Sequence, residues 1–67
     1  MTHTKALYRI TEAMMLLSIG RTTLYQELRA GRLASVGHGR ARRIPATAID
    51  AYLALLEQEA TRGRLAA

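Results

Sequence analysis

The sequence predicts a small, mainly α-helical fold with one β-hairpin, in the order helix, turn, helix, hairpin, helix. Three observations predict it. Two short apolar stripes at helical spacing are separated only by Ser18-Ile19-Gly20. The period changes after Gly31, where Gly and Arg replace regular apolar positions. A third and longer helical stripe follows Pro45. A chain of 67 residues has room for one domain with a thin core, expected over 1–67 with ordered structure from about residue 7 to about residue 61.

Residues 1–6 show no periodicity. Tyr8 and Ile10 alternate with Arg9, which predicts a short extended lead-in. Thr11 is a suitable N-cap, and Glu12 in the first turn suits the positive end of the helix dipole. With that cap the third helical position is Met14, so a full capping box is not expected. Ala13, Leu16 and Leu17 form the inward stripe, with Met14 and Met15 flanking it as adaptable filler. Ser18-Ile19-Gly20 has the length of a helix-turn-helix connection, and Ile19 is placed to plug the angle between the helices.

The second helix is expected from about Arg21 to Ala30, with Leu24 and Leu28 inward and Gly31 supplying the left-handed residue that ends it. Leu33 to Val36 can then extend, Gly37-His38-Gly39 turns, and Arg40 to Ile44 returns. Such a hairpin has no stability of its own, so Val36 and Ile44 are expected to lean on the helices. After Pro45, Ile49, Tyr52, Leu53 and Leu56 recur at i, i+3, i+4 and i+7. This third helix is expected to run to about Thr61, with Gly63 past its end.

Composition narrows the function classes. Without cysteine there are no disulfides or thiolate metal sites. The start, Met1-Thr2-His3-Thr4-Lys5, is polar, and no run approaches the roughly 20 apolar residues of a membrane span. The expectation is a soluble intracellular protein with no membrane partner. Lys and Arg total 10 against 5 acids, a formal charge of +5, and all but one of the basic residues are Arg. From Leu28 to Ile49 there is no acid, while Arg29, Arg32, Arg40, Arg42 and Arg43 fall in that stretch. Such concentration suits a polyanion, although on charge alone a solvated Arg-rich surface fits as well.

With Leu24 and Leu28 inside, the second helix presents Arg21, Thr22, Tyr25, Gln26 and Arg29 outward. These side chains suit phosphates and base edges: Arg for guanine, Gln for adenine, Thr and Tyr for phosphate oxygens. Arg21 opposes the helix dipole from the first turn, and Gly20 occupies the N-cap without a side chain to cap with. A phosphate at the helix start would make sense of both; a suboptimal helix start is the plain alternative. His38 and Gly39 sit at the hairpin tip with Arg40, Arg42 and Arg43 beside them. Strand alternation turns Arg43 to solvent and lets Arg42 span the hairpin and the body. Arg can simply blunt an edge strand, but three in four positions exceeds that need.

Neither His3 nor His38 has a companion set for a metal, and no Ser–His–carboxylate, paired-acid or phosphate-loop motif is present. The reading is a binder and not an enzyme, with no cofactor, metal or small-molecule ligand. RNA is disfavoured because only three Tyr and no Phe or Trp are available for stacking, none of them in the basic hairpin. A pure protein-interaction module is disfavoured because the Arg21-to-Arg43 surface is charged.

The segments Tyr8-Arg9-Ile10-Thr11-Glu12-Ala13, Leu16-Leu17-Ser18-Ile19-Gly20-Arg21-Thr22-Thr23-Leu24-Tyr25, Arg29-Ala30-Gly31-Arg32-Leu33, Arg42-Arg43-Ile44-Pro45 and Ala48-Ile49-Asp50-Ala51-Tyr52-Leu53 together resemble excisionase-family helix-turn-helix domains. The resemblance implies a winged helix-turn-helix, shared with the DNA-binding domains of MerR-type regulators. It makes Arg21 through Arg29 the recognition helix, including Thr23, and Val36 through Arg43 the wing. The family often has Ser or Asp where this chain has Gly20.

The resemblance further implies a cytoplasmic, nucleoid-associated bacterial protein acting on double-stranded DNA. Excisionases bind and bend attachment-site DNA and bias a site-specific integrase toward excision of a phage or integrative element. Close relatives are small transcriptional regulators of mobile elements, the alternative reading. The long coiled coil and effector domain of full MerR regulators are not expected here. One such domain covers little DNA, on the order of 600–1,000 Å². Several copies are therefore expected to bind cooperatively, with Leu55 and Leu65 as candidate contacts between them.

Overall fold

A computed structural model of the chain describes residues 4–66. The elements are β1 (Leu7–Tyr8), α1 (Ile10–Leu17), α2 (Arg21–Arg29), a 3-10 turn (Gly39–Ala41), β2 (Ile44–Pro45) and α3 (Ala46–Ala66). They form a mainly helical winged helix-turn-helix, as the sequence predicts.

Helix α1 starts before Thr11. Arg9 is the extended residue ahead of it, and Glu12 takes the third helical position, where its carboxylate accepts the Arg9 backbone N–H at 2.9 Å. This is the acid half of a capping box; Arg9 has no side-chain acceptor with which to complete it. Lys5 donates to the same carboxylate and, with the Arg9 N–H, holds the Glu12 carboxyl below its ordinary pKa. The earlier start explains a shift in the buried face. Ile10, Ala13, Met14 and Leu17 occupy i, i+3, i+4 and i+7, and these face the core. Leu16, expected inside, is 51% exposed, and Met15 is 81% exposed.

Ser18 adopts the left-handed conformation (φ 55°, ψ 42°) and turns the chain, and Ile19 packs against the core. Leu24 of α2 is fully buried, Leu28 is half-buried against the same cluster, and Gly31 (φ 78°) follows the helix end. The segment after α2 is fastened by Leu33, 1% exposed; Val36, expected to lean inward, is 46% exposed.

The wing differs in detail from two full strands. Its hairpin is a single rung in which Val36 and Arg43 exchange backbone hydrogen bonds of 2.8 Å each, with the 3-10 turn between them. Beyond that rung the returning chain pairs with the start of the protein: Tyr8 lies opposite Ile44 and Leu7 opposite Pro45, antiparallel. The Ala46 N–H to Ala6 carbonyl bond of 2.8 Å extends this ladder. Burial explains the choice, because pairing with β1 places both Tyr8 and Ile44 in the core.

Helix α3 adds Ala48, Ile49 and Tyr52 to the core, with Leu53 half-buried and Leu56 at the rim, 36% exposed. It continues through Gly63 to Ala66, beyond the expected end near Thr61. A glycine in a helix costs only about 1 kcal/mol relative to alanine, too little by itself to end one. A polar network ties α3 to α2. Glu27 accepts from the Tyr52 hydroxyl at 2.7 Å and from Arg32 Nε at 2.9 Å, and Arg32 grips both oxygens of Glu59 through its terminal nitrogens. Arg32 lowers the pKa of both carboxylates, and for Glu27 the Tyr52 hydroxyl adds to the effect. Arg32, counted above with the basic stretch, is thus neutralised within the fold.

Ile44→Ala should cost about 2–5 kcal/mol in urea denaturation, whereas Leu16→Ala should stay within about 0.5 kcal/mol. Because the folded-state pKa values of Glu27 and Glu59 lie below the unfolded value of about 4.3, their stabilisation is complete above that pH and is lost as pH falls through the folded values. The urea midpoint should decline below about pH 4.3, and Glu27→Gln should make that decline shallower.

Candidate nucleic-acid interface

The outer face of α2 carries the expected residues. Arg21, Thr22, Thr23, Gln26 and Arg29 are exposed, and Tyr25 is half-buried. The i, i+4, i+8 series Arg21, Tyr25, Arg29 turns toward the wing, while Thr22, Thr23 and Gln26 are exposed to solvent outside the two clefts beside it. Gly20, extended at φ −79° and ψ 169°, gives α2 no side-chain cap, so the first backbone N–H groups of the helix are left without one.

On the wing, His38, Gly39 and Arg40 are exposed at the tip. Arg43, expected to point to solvent, is half-buried because its Nη1 donates to the carbonyls of Arg40 and Arg42, each at 2.9 Å. This guanidinium therefore closes the turn of the wing as well as carrying charge. Arg42 spans wing and body as expected; it is half-buried, and its Nε is buried with no hydrogen-bond partner among the described residues.

These elements enclose an open cleft of about 520 Å³. Arg21 and Tyr25 form its α2 wall, and Gly39, Arg40, Arg42 and Arg43 form its wing wall. The start of α1 forms the third wall with Arg9, Ile10 and Thr11. Five arginines and no acid line it. A second, adjoining cleft is lined by Tyr25, Leu28, Arg29, Ser35 and Arg42, so Tyr25 and Arg42 are shared walls of the two. Arg9 and Thr11 are not among the contact residues that the sequence predicts, where Thr11 is expected only as a helix cap. Their only signal was position, since the first turn of α1 in a helix-turn-helix lies beside the start of α2. Among the described residues no group of three or more His, Asp or Glu is placed to hold a metal ion, and no helix is long and apolar enough to cross a membrane.

The wing depends on one glycine. Gly37 has φ 80°, and a Cβ there would lie 2.5 Å from the Ala41 carbonyl oxygen. Gly37→Ala should cost about 1–3 kcal/mol of local strain. Amide hydrogen exchange should show lost protection at Val36 and Arg43, while the Leu24 amide in α2 keeps its own.

Residues 7–54 match the family of helix-turn-helix domains, a span that includes α1, α2, the wing and the first turns of α3. The chain is also similar to a probable excisionase of Saccharopolyspora erythraea, with 46% identity over 52 residues covering 78% of this chain and 53% of that protein. The chain thus spans about half the length of the curated relative it matches. No solved structure gives a significant match.

Proposed function

Because the chain belongs to the helix-turn-helix domain family, we propose that it is a sequence-specific DNA-binding and DNA-bending accessory factor. In this reading it is an excisionase of a phage or integrative element, directing a site-specific integrase toward excision. The observation that carries the reading is the outer face of α2 standing beside an acid-free cleft lined by five arginines, with the wing as its far wall. The name of the similar protein, probable excisionase, supports the choice among DNA-binding roles.

Helix α2 enters the major groove by its N-terminal half, with Arg21, Thr22, Thr23 and Gln26 toward base edges and phosphates, and with Tyr25 and Arg29 toward the backbone. The uncapped start of α2 and the adjacent Arg21 suit an approaching phosphate. The wing, through His38, Gly39, Arg40, Arg42 and Arg43, follows the neighbouring backbone or minor groove. One domain covers only on the order of 600–1,000 Å² of interface, so several copies bind side by side at attachment-site DNA. Of the two leucines considered for contacts between copies, Leu55 is half-buried and Leu65 lies outside the residues with described side chains.

Gel-shift titration on circularly permuted probes tests the reading. A ladder of bent, sequence-specific complexes is the expected outcome; a single unbent complex over a promoter would replace it with a small transcriptional regulator. If five to seven phosphates are neutralised, log K should fall with log salt at a slope of roughly −4 to −6. Gln26→Ala should relax preference at one base pair by about 1–3 kcal/mol, and an unchanged preference would reject the assigned orientation of α2.

A further inference from the structure

We propose that the cleft between α1, α2 and the wing is a seat for one phosphate group, and that Arg9 and Thr11 hold that phosphate from a third element, separate from both the recognition helix and the wing. The inference rests on the DNA-binding reading above and adds to it the place where the backbone is clamped. Four features converge on it. The Arg9 backbone N–H is already engaged by Glu12, while its side chain is exposed and lines the cleft. Thr11, displaced from the cap position by Arg9, is an exposed residue in the first turn of α1, and among the described residues its hydroxyl makes no hydrogen bond. Arg42 brings a buried Nε, without a partner among the described residues, to the boundary of this cleft and the adjoining one. Arg43 is fixed in the wall by the Arg40 and Arg42 carbonyls, so its charge is held in place before any ligand arrives.

The chemistry of such a site favours a tetrahedral dianion or monoanion. Several guanidiniums arriving from different directions can each form charge-assisted, forked hydrogen bonds to phosphate oxygens, and a hydroxyl supplies a further short donor. A carboxylate presents its two oxygens in one plane, whereas the oxygens of a phosphodiester are disposed tetrahedrally and can face donors from three walls. Glu12, the acid nearest in sequence to Arg9 and Thr11, is turned away to Lys5 and lines a separate apolar cleft with Tyr8, Met15 and Leu16. The phosphate can come from a DNA strand or from free phosphate in solution, and the two are separable by experiment.

Arg9→Ala and Thr11→Val are compared with wild type and with Arg62→Ala, an exposed arginine on α3 that does not line the cleft. Fluorescence anisotropy with a labelled duplex is run between about 50 and 200 mM salt. Arg9→Ala should weaken specific and scrambled duplexes by the same factor, about five- to tenfold at low salt, and reduce the steepness of the salt dependence by about 0.9. Thr11→Val should weaken both by about threefold. Arg62→Ala should change neither specificity nor slope. Urea midpoints should stay unchanged for both cleft variants, since both side chains are exposed. Amide NMR shifts then identify the source. Movement of Thr11, Arg21 and Gly39 with inorganic phosphate alone supports a seat that accepts a free phosphate; movement only with duplex supports one shaped for the phosphodiester backbone.

Wild-type binding and slope in both cleft variants, alongside a loss in Arg29→Ala on α2 outside this cleft, would overturn the seat and leave the DNA reading intact. A wild-type chain that binds no duplex would overturn the DNA reading, and this inference with it.

Discussion

The pairing of Tyr8 with Ile44 is the constraint on which the remaining structure depends. It joins residues 36 positions apart in the chain through a two-residue ladder, and both side chains are buried. Helix α1 begins two residues after Tyr8, and α3 begins two residues after Ile44, so the ladder fixes where two of the three helices start. It also fixes the base of the wing, because the Val36–Arg43 rung ends one residue before Ile44. A two-stranded sheet is weak alone, but here its inward residues are held by Ala13, Leu24, Leu33 and Ile49 from four other segments. The same contact that closes the core therefore brings the first turn of α1 against the wing.

Most of this order was legible in the residues, because it rests on short-range chemistry. Leu24 and Leu28 at helical spacing, Gly31 as the left-handed stop and Gly37 in the turn each express a local rule. What was not legible involved partners distant in sequence. Nothing local in Ile44 says whether it pairs back to the wing or across to Tyr8; the choice is made by the area buried. The phase of α1 differs from the expected one for the same reason. Ile10 reads equally well as the end of an extended segment or as the first residue of a helical stripe. Only the ladder at Leu7–Tyr8 shows where extension stops. Gly63 illustrates the opposite limit, a stop signal too weak to act alone.

The candidate site shows a related division. The outward face of α2 was readable because the inward face was, and helical geometry supplies the other side at once. Arg9 and Thr11 were not readable, since their relevance comes from a cleft made by three elements. The wing arginines looked equivalent in the sequence and are not so in the structure: Arg40 is exposed at the tip, Arg42 bridges two clefts, and Arg43 braces the turn it sits on.

The placement of the acids has a kinetic consequence. All five, Glu12, Glu27, Asp50, Glu57 and Glu59, lie outside the arginine-lined cleft, and three of them are paired with Lys5 or Arg32. The molecule is therefore electrically lopsided as well as basic. In the field of a polyanion such a body experiences a torque that turns the cleft toward the charge. The effect is felt from about one Debye length away, roughly 10 Å at 0.1 M salt. Fewer collisions then arrive wrong side first, and the first encounter already has the orientation that the contacts require.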